Sequence, residues 1–402
     1  GVTSAPRLPS MLLQVAAFLS LFFLLGPGLG WPLAARLALD PAEKLTVAAV
    51  LSVLGIFIFS WVVYIFALPA LLLWLLPALA GAGLLASRRS LRDAGRDASV
   101  RELVVLQLVV ATWCGGWLAF VANYSGGGWT SDWFEHWQRA QFFLERQPLD
   151  QKFLGFNPLT ARPPLVNVVT ATLLSLGGAD FARYQLATAL LGSLAFLPAA
   201  LLTRRFGGDR GALATLAVLL MLNPLFVQNA TFAWTKLPTA FFVLAGMYFF
   251  LRARDHDAPP AAAVLCGVSL AAGLLAHYSA GPYAVVLAIA WLASDRRRPA
   301  LQAALAGGAV LLVWFAWAFA VYGVRGTLLS NTSVTEVDSH PDGQAVRILL
   351  NLRDTLIPHF LRPLDTSLIA QVSPWGQWRD WFFQAYQLNL FLAFGSVGWL
   401  AI

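Results

Sequence analysis

Charged residues are scarce in this chain: only 12% of its 402 residues are Asp, Glu, Lys or Arg, against about 25% in an average soluble protein. Apolar residues make up 58%, so there are too few charges to cover a water-facing surface of this size. With only two cysteines the chain is not a disulfide-rich scaffold, and its high apolar content excludes a disordered or fibrous protein. The class that remains is a protein that crosses a membrane many times.

The apolar residues form long, unbroken runs and do not alternate with polar residues as they would in a β-barrel. This pattern predicts an all-α polytopic membrane protein. The first run lacks a basic start and a small-residue cleavage site, so we interpret it as a retained span. The segment 165–176 is apolar but too short to cross, which predicts a helix at the membrane interface. The last run meets the final residue, so we expect further chain to follow it. The predicted spans are 12–29, 46–66, 69–86, 102–121, 184–203, 211–228, 237–252, 260–277, 280–294, 300–322 and 386–402.

Arginine clusters set the expected orientation, because basic loops stay in the cytoplasm. They lie within 88–101, 204–210, 252–254 and 296–298. The net charge of +7 lies mostly in these loops and therefore indicates topology and contact with anionic membrane lipids, not nucleic acid. Cys114 and Cys266 fall in predicted spans, where we expect them to be small buried apolar residues.

This topology divides the chain into four parts. N-terminal spans and a basic loop occupy 1–101, and a transmembrane core occupies 102–322, with a first large outer loop at 122–183. A second large outer loop follows at 323–385, and 386–402 begins a further span. The polar residues available for chemistry therefore lie mainly on the outer side.

The first outer loop contains Thr-Ser-Asp-Trp-Phe-Glu-His-Trp-Gln-Arg at 130–139. Two carboxylates and a histidine on one face suit a general base or a metal site. Alternatively, Asp132 and Glu135 form a capping box at the start of the helix. The neighbouring face, with Trp133 and Trp137, could lie on the membrane interface. A helix over 132–146 places on its polar face Asp132, Glu135, His136 and Arg139.

Other outer segments carry cationic and hydrogen-bonding residues suited to a phosphate group. Arg162 precedes Pro-Pro-Leu, Lys236 opens a span, and His277 and Tyr278 lie in a tight turn. Each has a structural alternative: Arg162 could meet lipid headgroups, Lys236 could extend to the membrane surface, and His277 could cap a helix. All of them fall on the same predicted side as Asp132, so alternating spans could bring them into one cavity.

The order of these elements resembles that of the GT-C glycosyltransferases, within them the protein-mannosyltransferase-like group that includes aminoarabinose transferase. The resemblance covers roughly 102–295 and depends on short motifs in a shared order. The matching segments are Thr-Ser-Asp-Trp-Phe-Glu-His at 130–136, Arg-Pro-Pro-Leu at 162–165, a span beginning near Arg183-Tyr184, and Arg-Arg-Phe-Gly at 204–207.

The resemblance implies a multispan helical bundle whose extracytoplasmic loops carry short surface helices. It implies a sugar donor linked to a polyprenyl phosphate and an acceptor hydroxyl on a lipid, glycan or protein. Asp132 would be the catalytic base and Arg162 a ligand of the donor phosphate, whereas Glu135 and His136 have no firm counterpart. A retaining reaction would need a second close carboxylate, for which Glu135 is the catalytic candidate. The Ala-, Leu- and Arg-rich composition suggests a bacterial inner membrane, with undecaprenyl phosphate as carrier and the site facing the periplasm.

One departure from the family concerns the cofactor. The family often has a second acidic residue where this chain has Thr235-Lys236. A protonated lysine cannot bind a divalent metal, so we predict that Lys236 and Arg162 replace the metal, with His277 and Tyr278 as further phosphate ligands. The candidate acceptor or sugar contacts are His136 in the first outer loop and His340 and His359 in the second.

Two other functions fit part of this pattern. A polyprenyl-lipid flippase or transporter would explain the spans and the outer cations without chemistry. Ion-coupled transport is disfavoured because no charged residue lies well inside a predicted span and no internal repeat is present. A non-catalytic subunit of cell-envelope glycan assembly would make the outer acidic residues structural.

Overall fold

The computed structural model describes residues 8–118, 132–294 and 297–330, with the single positions 346 and 349. Within these ranges the backbone is largely helical, and the one extended pairing is a bridge between Phe153 and Asn157. The all-α prediction is confirmed, whereas the predicted span 386–402 and the segment 350–385 lie outside the described residues. The first eight helices are α1 (Leu8–Gly28), α2 (Trp31–Ala34), α3 (Pro41–Ile65), α4 (Leu75–Ala86), α5 (Arg88–Arg96), α6 (Ala98–Trp117), α7 (Asp132–Glu145) and α8 (Leu165–Gly177). The others are α9 (Phe181–Ser193), α10 (Phe196–Arg205), α11 (Arg210–Leu222), α12 (Pro224–Thr231), α13 (Lys236–Arg252), α14 (Ala262–Ala276), α15 (Gly281–Leu292) and α16 (Arg297–Leu328).

Several helices are long and apolar enough to cross a membrane. Within the described ranges there are five, or up to seven if two bent helix pairs each form one span. The spans predicted over α13, α14 and α15 coincide with helices of 17, 15 and 12 residues, shorter than the roughly 20 that a span needs. The crossing of these three therefore remains a prediction. The five are Gln14–Ala34, Pro41–Ile65, Ala98–Trp117, Phe181–Arg205 and Arg297–Leu328.

The helix ends group as the charge pattern predicts. Ion pairs join three of the arginine-rich segments at one end of the bundle, which we call the arginine-rich end. At the opposite end, which the charge pattern predicts to be the outer end, the hydroxyl of Tyr278 donates to the carbonyl oxygen of Thr160 at 3.2 Å, joining the predicted first outer loop to the turn before α15. The ion pairs are Arg204–Glu102, Arg205–Asp255 and Arg252–Asp255.

Helix α3 is an integral part of the core. The Trp61 side chain is fully buried, and its Nε1–H donates to the carbonyl oxygen of Val313 on α16 at 2.8 Å. Its ring also lies 5.2 Å from the ring of Trp314 and 5.0 Å from that of Trp317. The N-terminal spans therefore support the rest of the bundle and are not a separate addition.

Helix α8 differs from the expectation of a helix at the membrane interface. Every residue from Leu165 to Leu174 is buried, and the helix packs against α3 and α7. The reason is that this run has no continuous polar face that could remain in water, so other helices cover it on all sides.

Helices α14 and α16 cross in close contact because glycines allow their backbones to approach. A Cβ atom built on Gly267 would lie 2.0 Å from the carbonyl oxygen of Ala303, and one on Gly307 would lie 2.9 Å from that of Gly267. Such small-residue crossings are typical of membrane helices. The crossing fixes the position of α16, whose C-terminal end contacts the turn Leu159–Ala161 through the carbonyl oxygen of Gly326.

Candidate active site

Helix α7 carries the polar residues of the first outer loop into the protein. It begins at Asp132, whose backbone is described and whose side chain is not. Glu135, His136 and Arg139 follow and are buried, with exposures of 0%, 2% and 0%. The neighbouring face was expected at the membrane interface, but it packs against α9, where the ring of Trp137 lies 5.1 Å from that of Tyr184.

Glu135 forms ion pairs with two arginines. Its Oε1 accepts hydrogen bonds from Nε of Arg139 at 3.0 Å and from Nη2 of Arg139 at 2.7 Å. Its Oε2 lies 3.4 Å from Nη2 of Arg162. These contacts differ from those of the alternative capping box, in which Glu135 would bind the backbone at the start of α7.

The three side chains carry one net positive charge, because two guanidinium groups surround a single carboxylate. The Arg139 side chain is 1% exposed and that of Arg162 is 16% exposed. Arg162 is therefore the more exposed of the two arginines. A guanidinium fixed by a carboxylate behind it suits phosphate binding.

Arg139 also fixes the backbone that precedes Arg162. Its Nη1 donates to the carbonyl oxygen of Leu159 at 2.6 Å, and its Nη2 donates to that of Pro158 at 2.9 Å. Its guanidinium lies 4.3 Å above the ring of Phe153. Burial lowers the pKa of Arg139 to about 10, and Glu135 opposes that shift, so the side chain keeps its charge near neutral pH.

The turn Leu159–Ala161 is held from a second side. The Thr160 hydroxyl donates to the carbonyl oxygen of Gly326 at 2.6 Å, and the Thr160 carbonyl accepts from Tyr278. Burial raises the pKa of Tyr278 to about 12, although the charges of Arg139 and Arg162 act in the opposite direction. The Tyr278 phenol therefore remains protonated and can donate throughout the physiological range.

The contacts of His277 match its structural alternative. Its Nδ1 accepts from the backbone N–H of Ser279 at 3.0 Å and lies 2.9 Å from the Ser279 hydroxyl. His277 thus caps the short turn that begins at Tyr278. Direct binding of a phosphate by His277 stays a prediction.

Lys236 is the first residue of α13 and is exposed. Its ammonium lies 4.2 Å above the ring of Trp234. In the same turn, Ala233 packs in a buried cluster with Ala140 of α7 and Tyr184 of α9. The segment that carries Lys236 is therefore anchored beside α7.

The predicted acceptor contacts are only partly described. His136 is buried, and its Nδ1 lies 3.1 Å from Oδ1 of Asn167 on α8. This contact connects the two helices that flank the arginine cluster. His340 and His359 lie outside the described residues.

Comparison with known proteins identifies the family. The sequence profile of dolichyl-phosphate-mannose-protein mannosyltransferases matches residues 103–335, more than half of the chain. The chain belongs to this family. Searches of curated proteins and of solved structures gave no match.

Membership of this mannosyltransferase family confirms the resemblance to the GT-C group. It shows a GT-C-type glycosyltransferase, and the matched residues contain all of Glu135, Arg139 and Arg162. Among the residues that the structure describes, no three His, Cys, Asp or Glu side chains group so that they could hold a metal ion. The replacement of a metal by Lys236 and Arg162, like the role of Asp132, stays a prediction.

For some residues of the candidate site the sequence predicts no role. Arg139 was placed on the polar face of α7 without a function. The amide of Asn167 inside an otherwise apolar run was a usable signal, because buried amides need partners. Thr160 gave no signal, since its hydrogen bonds depend on residues far away in the sequence.

Proposed function

We propose that this mannosyltransferase-family protein moves a sugar from a polyprenyl-phosphate-linked donor to an acceptor hydroxyl on a lipid, glycan or protein. The reaction takes place at the outer end, which the positive-inside rule places on the extracytoplasmic face. In a bacterium, the carrier is undecaprenyl phosphate and the site faces the periplasm. The observation that carries this proposal is the cluster in which Arg139 and Arg162 share the buried carboxylate of Glu135 and the Arg162 side chain is partly exposed.

The donor phosphate is a diester with one negative charge. When the bond between the anomeric carbon and the phosphate oxygen breaks, the leaving polyprenyl phosphate gains a second negative charge. Fixed cations at this position stabilise the transition state more than the ground state. Arg162 and Lys236 take this role, while Glu135 and Arg139 hold Arg162 in place.

Asp132 acts as the general base. It is the first residue of α7, one turn before Glu135, at the outer end of the helix. As the acceptor oxygen bonds to the anomeric carbon, its proton passes to the Asp132 carboxylate. Glu135 is fully buried and paired with two arginines, so we assign it a positioning role and not that of a nucleophile. A single displacement then inverts the anomeric carbon.

The test follows release of polyprenyl phosphate from polyprenyl-phosphate mannose by purified protein, with a membrane extract as the source of acceptor. Asp132→Asn keeps the size of the side chain and removes the base, so we expect a rate at least about 100-fold lower. Asp150→Asn, at an exposed position of the same loop, is the matched control and should retain the wild-type rate.

Two outcomes would overturn the proposal. Full activity of Asp132→Asn would place the base elsewhere. If the wild type binds the lipid and releases no polyprenyl phosphate, the flippase or the non-catalytic subunit becomes the better explanation.

A further inference from the structure

A second candidate site lies between the N-terminal helices and the family-matched core. A cavity of about 340 Å³ has walls that are almost entirely apolar, and its lining comes from α1, α2, α3, α5, α6, α8, α9 and α10. Three lining residues, Phe23, Val104 and Leu108, are also exposed on the protein surface. The cavity therefore opens sideways between α1 and α6, where membrane lipid would surround the protein.

The length of the cavity corresponds to one leaflet of a bilayer. Along α6 it extends from Val100 to Ala111. Eleven residue steps in an α-helix span about 16 Å, and half of a hydrocarbon core is about 15 Å. Because Val100 lies near the start of α6, the cavity occupies the leaflet at the arginine-rich end, away from the donor-phosphate cluster.

Helix α5 covers the arginine-rich end of the cavity and places two arginines beside it. Leu91, Ala94 and Gly95 line the cavity. Arg88 is three residues before Leu91 and Arg92 is three before Gly95, which places both arginines on the flanks of the lining face. Their side chains are exposed, so an apolar cavity and a positively charged rim lie side by side.

Trp31 supplies a hydrogen-bond donor at the same end. The side chain lines the cavity and is 2% exposed. Its Nε1–H has no hydrogen-bond partner among the residues that the structure describes. A buried donor without a partner is costly, and an oxygen of a bound molecule would satisfy it.

We propose that this cavity binds one acyl chain of an anionic glycerophospholipid. Its phosphate lies at Arg88 and Arg92, and Trp31 donates to a headgroup or ester oxygen. The chemistry of the rim selects a negative headgroup, because each arginine near an anionic membrane surface contributes to binding. The depth of one leaflet suits an acyl chain and not the longer chain of a polyprenyl donor. Helices α1, α3 and α5, which supply one side of the lining, lie outside the family-matched residues, whereas α8 and α9 on the other side lie within them.

The first experiment fills the cavity. Gly26 lines it, and a Cβ at this position meets no atom within 4 Å, so a larger side chain has open space there, and Gly26→Leu is designed to occupy the cavity. Gly81→Leu is the matched control, because Gly81 is a helical glycine with equally open surroundings outside the cavity lining. Phosphatidylglycerol should raise the unfolding temperature of the wild type and of Gly81→Leu more than phosphatidylcholine does. Gly26→Leu should lose this difference.

The second experiment tests the charged rim without altering the interior. The double variant Arg88→Gln/Arg92→Gln should bind phosphatidylglycerol about fivefold more weakly for each arginine removed. The control pair Arg89→Gln/Arg96→Gln, further from the lining face of the same helix, should have a smaller effect. Native mass spectrometry of the purified protein should show retained phosphatidylglycerol.

Three results would overturn the proposal: equal shifts with both lipids, an unchanged response of Gly26→Leu, or equal effects of the two arginine pairs. Retention of polyprenyl phosphate in place of phosphatidylglycerol would also overturn it, and would show that the cavity holds an isoprenoid chain.

Discussion

Nη2 of Arg162 lies 3.4 Å from Oε2 of Glu135, and this ion pair connects an accessible arginine to a fully buried carboxylate. Arg139 holds the same carboxylate through its other oxygen. Because Arg139 is buried and also binds two backbone carbonyls, the carboxylate cannot move without breaking several hydrogen bonds. Glu135 therefore fixes the direction in which Arg162 presents its charge.

Removal of the Glu135 charge should destabilise the protein. In Glu135→Gln, the guanidinium of Arg139 stays buried without a counter-charge, which typically costs about 3–5 kcal/mol. Glu145→Gln, at the exposed end of the same helix, should change stability by less than about 0.5 kcal/mol. Thermal unfolding in detergent measures both variants, and equal unfolding temperatures would show that the ion pair contributes no stability.

Replacement of Arg162 should reduce catalysis more than stability. Its side chain is partly exposed, so Arg162→Ala should fold, while the loss of one fixed cation should lower kcat about 100- to 1,000-fold. Arg162→Lys should recover part of the rate, because a lysine keeps the charge and loses the bidentate geometry.

The matched control for Arg162→Ala is Lys152→Ala, which removes an exposed cation from the same loop. Its kcat should equal that of the wild type. An unchanged kcat in Arg162→Ala would instead support the alternative that Arg162 binds lipid headgroups.

Substitutions at Lys236 test the prediction that its positive charge takes the place of a divalent metal ion at the donor phosphate. Lys236→Ala should lower kcat at least about tenfold, and Lys236→Arg should restore much of it, since only the positive charge is required. Wild-type activity should be unchanged by a chelator. Full activity of Lys236→Ala, or a loss on chelation that Mg²⁺ reverses, would refute the replacement.

Tyr278 should influence stability without shaping the pH dependence of the reaction. Its pKa is raised to about 12, so the phenol stays protonated from pH 6 to 9 and Tyr278→Phe should leave the form of the pH–rate profile unchanged. The variant loses the hydrogen bond to Thr160, at a cost of about 1 kcal/mol.

The sign of the pH effect on stability follows from the raised pKa. Above about pH 10 the phenol ionises in the unfolded chain and not in the folded one, so the contribution of Tyr278 to stability declines as pH rises. The difference in unfolding free energy between wild type and Tyr278→Phe should therefore be smaller at pH 11 than at pH 8. A constant difference would contradict this assignment.

The sequence predicts the parts of the structure that depend on local pattern. Apolar runs predicted where most membrane helices lie, and the i,i+4 spacing placed Glu135 and Arg139 on one face. The ion pair between Glu135 and Arg162 joins two segments that are far apart in the sequence, and no local spacing rule predicts this contact. From the sequence alone, only the placement of both residues on the same side of the membrane could be predicted. The burial of α8 depends on helices that pack around it, which its own sequence does not reveal.

A substitution at Trp61 tests whether the N-terminal helices stabilise the rest of the bundle. Trp61→Phe removes the hydrogen bond to Val313 and part of the contact with Trp314, which should cost about 1–3 kcal/mol of stability. Trp74→Phe is the control, because Trp74 is 53% exposed and should tolerate the change. The residues that Trp61 contacts here, Val313 and Trp314, lie on α16, whereas the arginine cluster lies on α7 and in the loop before α8. We therefore expect kcat of Trp61→Phe to fall only as the folded fraction falls, with KM for the donor unchanged. A lower kcat at full stability would mean that α3 acts on the reaction directly and is more than a scaffold.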